Sequence, residues 1–263
     1  MNSDTPHPSA PSSPTATAGD HPDPSHPVDN DAGGSPRLTV TVAIPTLNEE
    51  ENIAEVILGV LPHADEVLVV DGHSEDRTRE IAEEAGARVV LDPALGKGAA
   101  LRHALLEANS DIVVFIDADC SHEPTDIPRL VEPIRMGEAD LVVGCRMTGG
   151  SDELHGDLFK FTRLIGSEII TMTINYRWGV RLTDVQNGFR AIRRDVGLAL
   201  RLQENRFAIE EEMVMKALRQ RYRVVNVSSH EYKRKHGVSR IVLQRDWFSF
   251  VWCVVKHVLG LTG

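Results

Sequence analysis

The stretch Val113-Val114-Phe115-Ile116-Asp117-Ala118-Asp119 decides how the rest of the sequence is interpreted. Its four apolar residues are typical of a buried strand in a parallel sheet. In an open α/β sheet, ligands bind outside the carboxyl ends of the strands, so Asp117 and Asp119 fall where chemistry is expected. Carboxylates this close together repel each other, and a divalent cation between them is the usual remedy. The alternative is a strand end with one solvated aspartate and one helix cap.

The length leaves room for one fair-sized α/β domain or two small ones, behind a polar N-terminal segment. The chain has 263 residues and a net charge of −11, which argues against a nucleic-acid partner and suits a cytoplasmic enzyme. Residues 1–36 are polar and contain almost no large apolar side chain, so we expect a disordered tail without a signal peptide. The folded part is expected to begin near Arg37. The three cysteines, Cys120, Cys145 and Cys253, match no disulfide or zinc pattern, which indicates a reducing compartment.

Apolar runs and helical periodicity alternate along the chain, which is typical of a doubly wound, mostly parallel α/β sheet. Strands are predicted over residues 38–44, 66–70, 88–90, 113–116 and 140–143. Pro45 is expected to end the first strand, and Asn48 and Ser74 to begin the first two helices. In the second half we expect helices over residues 158–174 and 210–220, short strands over 189–192 and 223–227, and a basic loop over 231–240.

Several polar groups follow the predicted strands and suit a nucleotide. Asp71 stands at the end of the second strand, where a carboxylate can accept hydrogen bonds from a base or a ribose. Gly96-Lys97-Gly98 opens a helix and offers N–H groups and an ammonium to an anion, with a solvated lysine as the alternative. Arg234, Lys235 and Arg240 could neutralise a departing diphosphate, or form a solvated basic loop.

Seven segments, in order along the chain, resemble the signatures of family 2 glycosyltransferases. They cover residues 44–53, 71–78, 96–98, 117–119, 143–146, 188–191 and 234–240. The last two resemble the branch that contains dolichol-phosphate mannose synthases and related polyprenyl-phosphate glycosyltransferases. The resemblance implies a GT-A fold over residues 37–245, that is, a Rossmann-like, mixed and mostly parallel sheet flanked by helices.

The resemblance also implies roles for the polar groups. The residues expected to bind the donor nucleotide sugar are Pro45, Glu49, Asp71, Lys97, Asp117, Arg146 and Ser239. The residues expected to be catalytic are Asp119, Arg190, Arg234 and Arg240. Among these, Arg146 and Arg190 would face the acceptor phosphate, and Arg234, Ser239 and Arg240 would close over the diphosphate.

A divalent metal, Mg²⁺ or Mn²⁺, is the cofactor that the resemblance implies. Asp117 and Asp119 would bind it, together with Ser121, which stands where the family often has a Gln. The serine side chain is shorter, so the identity of the third ligand is open at this point.

The reaction implied is inverting transfer of a hexose from a GDP- or UDP-hexose to a polyprenyl phosphate, dolichyl or undecaprenyl. The alternative is a family 2 enzyme with a soluble acceptor, such as a small metabolite, a glycan or a protein side chain. An ionised phosphate acceptor needs no general base, whereas a hydroxyl acceptor does. Glu210, Glu211 and Glu212 are candidates for that base, or form an acidic first helical turn.

Residues 246–263 form a separate aromatic and apolar segment. As a helix it could lie in a membrane interface, where Trp is favoured, or pack on the core of the domain. We therefore expect a cytoplasmic protein, with peripheral contact at the inner face of the membrane as a further expectation.

Overall fold

The structure is a computed structural model that describes Met1 and residues 37–152, 158–237 and 243–261. The predicted tail beyond Met1, together with Ser239 and Arg240, lies outside the described residues. The strands are β1 Val40–Thr46, β2 Glu66–Asp71, β3 Arg88–Leu91, β4 Ile112–Phe115, β5 Leu141–Cys145, β6 Arg190–Arg193 and β7 Val224–Ser228. The helices are α1 Ile53–Val60, α2 Thr78–Glu84, α3 Lys97–Glu107, α4 Ile127–Arg135, α5 Arg146–Gly149, α6 Leu158–Trp178, α7 Arg194–Ala199, α8 Ile209–Arg219 and α9 Leu243–Val258.

These strands form one sheet, in the order β3-β2-β1-β4-β6-β5-β7. All neighbouring pairs are parallel except those of β6, which runs antiparallel to both β4 and β5. Buried strand side chains alternate between a layer with α3, α6, α7, α8 and α9 and a layer with α1, α2 and α4. The predicted α/β class, a mixed and mostly parallel sheet flanked by helices, is confirmed.

Strand β4 determines where the acidic pair lies. All of its residues are buried, and it is hydrogen-bonded to β1 on one side and to β6 on the other. Phe115 is its last residue in register with both neighbours. The chain then leaves the sheet, so Asp117 and Asp119 stand at the carboxyl edge, where strand ends leave room for a ligand.

Strand β1 continues through Pro45, which we expected to end it. The backbone carbonyl of Ala43 accepts a hydrogen bond from the N–H of Ile116, so the backbone groups of Ala43 point toward β4. Pro45 lies two residues further along β1, and its backbone nitrogen therefore points toward β4 as well. By that point β4 has left the sheet, while Pro45 stays in register with Val70 of β2. The missing N–H of the proline therefore costs no ladder hydrogen bond.

The loops after β1 and β2 bind each other, and both helices begin later than we expected. Asn48, with a left-handed φ of 53°, accepts from the N–H of Glu75, and its own N–H donates to Ser74 Oγ, each over 2.8 Å. Helix α1 begins only at Ile53 and α2 only at Thr78. The two side chains that we expected to cap helices instead join neighbouring strand ends.

Helix α9 crosses the boundary that we expected at residue 246. It packs against α8 and α6, with Cys253 and Val254 in the core. Its other side, which includes Phe248 and Trp252, is exposed. The helix therefore packs on the core of the domain along one side, whereas contact of its exposed side with a membrane interface stays a prediction. Within the described residues, no helix has the length and apolar character needed to cross a membrane.

Asp140 joins the ends of three strands at the edge of the sheet remote from the acidic pair. It accepts from the backbone N–H of Arg223 over 2.8 Å and forms ion pairs with the side chains of Arg223 and Arg193 at 3.3 and 3.5 Å. Burial alone would raise the pKa of Asp140, but the two arginines outweigh it and hold this pKa below its usual range.

Replacing this carboxylate gives a test of the fold. Asp140→Asn should lower the free energy of unfolding at pH 7 by about 1–3 kcal/mol, because hydrogen bonds to a charged group are lost. Since the pKa of Asp140 is lower in the folded chain than in the unfolded chain, its contribution is present above about pH 4 and is lost as the pH falls below that value. Urea unfolding from pH 7 to pH 3 measures both effects. The exposed Glu138→Gln is the control, and an equal loss in the two variants would contradict the prediction.

Candidate active site

A cavity of about 340 Å³ opens beside the end of β4. Several of its charged lining residues follow strands or begin helices, among them Lys97, Asp117, Asp119, Arg146, Glu210 and Arg234. Its apolar lining comes from α6 and α9, and includes Leu164, Ile170, Trp247 and Phe250. With Ser121, the cavity thus brings together six of the residues predicted from the sequence, and Glu210, one of the candidate bases, lies beside them.

Asp117 is held by Lys97, which begins α3. Lys97 Nζ lies 2.6 Å from Asp117 Oδ1 and 3.1 Å from Glu210 Oε1. His122 Nε2 lies 3.8 Å from Asp117 Oδ2. Burial alone would raise the pKa of Asp117, but Lys97 and His122 outweigh it and hold this pKa far below its usual range. Asp117 is therefore ionised at any working pH.

Gly188 leaves room for this ion pair. A Cβ at this position would lie 2.9 Å from Asp117 Oδ2 and 3.0 Å from Lys97 Nζ, which is closer than a close-packed interior tolerates. A larger residue at Gly188 would therefore push the lysine away from the carboxylate.

Asp119 is held by Arg234, which lies in the loop after β7. Arg234 Nη2 lies 2.6 Å from Asp119 Oδ2, and Nη1 lies 3.8 Å from Glu49 Oε1. The backbone N–H of Ser121 donates to Asp119 Oδ1 over 3.0 Å. Four of the predicted site residues, from three separate segments of the chain, meet at this point.

Arg146 lines the cavity, but its charge is already matched by protein carboxylates. Its Nε and Nη2 lie 2.7 and 3.1 Å from the two oxygens of Asp184, and its Nη1 lies 3.4 Å from Glu231 Oε1. Burial alone would lower the pKa of Arg146, but the two carboxylates outweigh it and raise this pKa. An acceptor phosphate would therefore meet a neutralised cluster and not a free guanidinium.

The residues predicted to hold a nucleoside, Pro45, Glu49 and Asp71, lie at the ends of β1 and β2 and outside the cavity lining. Asp71 is fully buried, and its carboxylate accepts from the backbone N–H and the hydroxyl of Ser74 and from the hydroxyl of Thr46. In this structure Asp71 shapes the loop that follows β2, and its direct contact with a nucleoside stays a prediction.

The three glutamates at the start of α8 have different surroundings. Glu210 lines the cavity, with Oε1 in the ion pair described above and Oε2 buried without a hydrogen-bond partner in the described residues. Glu211 is fully buried, and burial raises its pKa well above the usual value, although Gln186 donates a hydrogen bond to it. Glu212 pairs with Lys216 at 2.8 Å. Glu210 alone of the three is placed to act on a ligand.

The sequence between the first strand and α7 matches a known family. Residues 41–197 match the model of glycosyl transferase family 2. The chain belongs to glycosyl transferase family 2. It is 34% identical over 203 residues to Glycosyltransferase AglJ of Haloferax volcanii, which covers 75% of this chain and 64% of that protein. It is 32% identical over 184 residues to the low-salt glycan biosynthesis hexosyltransferase Agl6 of the same organism, which covers 68% of this chain and 44% of that protein. The chain therefore spans less than two thirds of the length of either relative.

Solved structures resemble this member of the family over most of its length. Glucosyl-3-phosphoglycerate synthase from Mycobacterium tuberculosis is 26% identical to it, with a TM-score of 0.66 and coverage of 86% of this chain and 82% of that one. The same enzyme in complex with Mn²⁺, UDP and glucosyl-3-phosphoglycerate gives a TM-score of 0.64. The predicted GT-A fold is confirmed.

Arg190 does not line the cavity. It is fully buried, and its guanidinium donates to the backbone carbonyls of Asn187, Val185 and Glu210. Its side chain thus contacts the protein framework, and the expectation that Arg190 faces an acceptor phosphate stays a prediction. Arg190 ties the segment before β6 to the start of α8, and so positions Gly188 and Glu210 on either side of Lys97.

The oxygen donors that line the cavity fit a hard divalent cation. Asp117 and Asp119 supply carboxylate oxygens, the ligands that Mg²⁺ and Mn²⁺ prefer, and Ser121 lines the same cavity. In residues 37–152, 158–237 and 243–261, no three His, Cys, Asp or Glu side chains already converge as a metal-binding cluster. A cation bound by Asp119 would meet the ion pair that this carboxylate forms with Arg234.

Asp184 and Glu231 are site residues that sequence reasoning missed. Asp184 lies in the irregular stretch before β6, and Glu231 lies just after β7, where no periodicity marks either of them. The available signal was indirect, since a buried arginine such as Arg146 requires a counter-charge.

The buried position of Arg190 makes a prediction about stability. Arg190→Lys should lower the free energy of unfolding by about 2–4 kcal/mol, because lysine cannot replace the planar set of donors and leaves buried carbonyls unpaired. Chemical denaturation measures the loss, and Arg193→Lys, whose side chain is 44% exposed, is the matched control. If Arg190→Lys kept wild-type stability and lost only activity, the structural role would be wrong.

Proposed function

We propose that this family 2 enzyme transfers a hexose from a UDP-sugar, with Mg²⁺ or Mn²⁺, to a soluble acceptor that carries an anionic group. The proposal rests on the arrangement at the end of β4, where Asp117 and Asp119 each lie 2.6 Å from a basic side chain and line one cavity. When a metal ion and a diphosphate bind, the two carboxylates could turn to the metal ion and the two basic side chains to the diphosphate.

The solved relatives support the donor and the cofactor. Glucosyl-3-phosphoglycerate synthase is seen with Mn²⁺ and UDP-glucose, at 26% identity to this chain. Asp117, Asp119 and Ser121 would hold the cation here, and when bound it would neutralise charge on the diphosphate. Lys97 and Arg234, which now face the two carboxylates, would be available to the departing diphosphate.

The solved relatives also support a soluble acceptor. The same synthase is seen with phosphoglyceric acid and with glycerol 3-phosphate. Lys233 lines the cavity of this chain, is exposed, and has no carboxylate within ion-pair distance in the described residues. Lys233 could therefore attract an anionic acceptor without breaking an existing ion pair.

A hydroxyl acceptor also needs a base, and Glu210 fits this role. Its Oε2 is buried, unpartnered in the described residues and part of a side chain that lines the cavity. It could accept the proton of an attacking hydroxyl, while Lys97 holds its other oxygen at 3.1 Å.

A polyprenyl phosphate acceptor is the second candidate, and the apolar part of the cavity favours it. Leu164, Ile170, Trp247 and Phe250 would suit a hydrocarbon chain. The phosphate of such an acceptor is largely ionised at neutral pH and needs no base, so Glu210 would then have no proton to accept.

A panel of donors and acceptors tests the proposal. UDP- and GDP-hexoses with Mg²⁺ or Mn²⁺ are offered with phosphoglyceric acid, glycerol 3-phosphate or a short polyprenyl phosphate, and products are detected by mass spectrometry. We expect transfer from a UDP-hexose to a soluble acceptor. Transfer to the lipid phosphate alone would replace the proposal with the second candidate. Chelation of the metal should abolish turnover, and Asp119→Asn should reduce kcat by about 100-fold or more. Asp195→Asn, at an exposed position, is the control.

Glu210→Gln separates the two acceptor classes by mechanism. With a hydroxyl acceptor, kcat should fall by about 100-fold or more, because the amide cannot take up a proton. With a phosphate nucleophile, kcat should change little. Glu211→Gln is the matched control, because this neighbouring carboxyl is fully buried outside the cavity lining and burial raises its pKa. Equal losses in both variants would remove Glu210 from the mechanism.

A further inference from the structure

Helix α6 carries an exposed apolar stripe. Ile165, Ile169, Met172 and Tyr176 are all exposed, Tyr176 to 94%. Their spacing of four, three and four residues places them on one side of the helix. The opposite side, which includes Ile170, belongs to the core. Helix α6 is therefore apolar on two sides, and only one of them is covered by the fold.

Helix α9 has the same property. Phe248 is 73% exposed and Trp252 is 51% exposed, four residues apart. Leu259, seven residues further on, is also exposed. The buried side of this helix, with Cys253 and Val254, packs on the core.

Two contacts define how α6 and α9 lie together. The ring of Trp247 packs on Gly166, where a Cβ would come within 2.6 Å of Trp247 Cζ3. Further along, Arg177 Nε donates to the carbonyl of Val258 over 3.1 Å. Both pairs are separated by 81 residues in sequence, so the helices run side by side, parallel and in step.

This arrangement turns both stripes to the same face. Each residue advances by about 100° around a helix of 3.6 residues per turn. Around the axis of α6, the exposed stripe lies about 100° from the side that contacts α9. Around the axis of α9, the exposed stripe lies about 110° from the side that contacts α6, in the opposite direction of rotation. Two parallel helices related in this way present their stripes side by side. We name the resulting surface the α6–α9 face, and it consists of Ile165, Ile169, Met172, Tyr176, Phe248 and Trp252.

The helices of this face carry a charge opposite to that of the chain. Helix α6 contains three Lys or Arg residues and one Glu, and α9 contains two Lys or Arg residues and one Asp, a net charge of +3. The chain as a whole has a net charge of −11. Apolar stripes on basic helices are typical of helices that bind anionic lipid.

The α6–α9 face also adjoins the cavity. Trp247 lines the cavity and is 43% exposed, so the same side chain belongs to the cavity wall and to the surface. Docking through this face would hold the cavity close to whatever surface the face covers.

We infer that the α6–α9 face docks on the surface of an anionic lipid bilayer, with both helices lying in the plane of the interface. Met172 and Phe248 enter the acyl boundary, and Tyr176 and Trp252 occupy the headgroup level, where aromatic side chains with a polar tip are favoured. This docking goes beyond the proposed reaction, because it requires neither the donor nor the acceptor.

Vesicle binding by the full chain tests the docking independently of catalysis. Flotation is measured with vesicles of phosphatidylcholine, with and without about one third phosphatidylglycerol. The double variant Met172→Glu/Phe248→Glu places charges on the face at two exposed positions. The double variant Leu58→Glu/Leu106→Glu is the matched control, because these residues are 61% and 63% exposed on α1 and α3. Circular dichroism and thermal unfolding establish that all proteins are folded.

The expected result is binding of the wild type to the anionic vesicles, reduced by about tenfold or more in Met172→Glu/Phe248→Glu and unchanged in the control. The emission of Trp247 and Trp252 should shift to shorter wavelength when vesicles are added. Three results would overturn the inference: no binding by the wild type, equal binding by both double variants, or a wild-type dimer in sedimentation that the face variant alone dissociates. The last result would assign the face to a second copy of the chain.

Discussion

Two carboxylates at the end of a buried strand repel each other, and basic side chains from distant segments of this chain compensate their charge. Lys97 comes from the start of α3 and Arg234 from the loop after β7, and each lies 2.6 Å from one member of the pair. Gly188 leaves space for the first of these contacts. The site therefore exists only when distant segments of the chain have folded together, and the ion pairs hold those segments in place before any ligand arrives.

The strands were predictable where a run of apolar residues alone determines burial, as in β2 and β4. The direction of β6 was not predictable, because four residues carry no local signal that distinguishes a parallel from an antiparallel neighbour. The predicted helix starts at Asn48 and Ser74 were wrong, because these side chains form hydrogen bonds between two loops and not within their own helix. Local capping preferences were overridden by tertiary hydrogen bonds of similar strength.

The types of residue in the site were predictable, whereas their orientation was not. Asp117, Asp119 and Lys97 meet as their positions at strand and helix ends imply. Arg190 and Asp71 have suitable chemistry, but both side chains are buried and turned to protein partners. A motif specifies that a charge is required near a point on the chain, and packing decides whether that charge serves a ligand or the framework.

The position of β6 between β4 and β5 has an evolutionary consequence. Antiparallel neighbours such as β5 and β6 can be joined by a turn of a few residues, yet here residues 146–189 intervene. The pairing of β5 with β6 does not fix the length of this connection, which contains α6 and much of the cavity wall. Related chains can therefore lengthen, shorten or exchange it while the half of the sheet built from β1, β2 and β3 stays unchanged, so that one scaffold can acquire new acceptors by replacing a single connection.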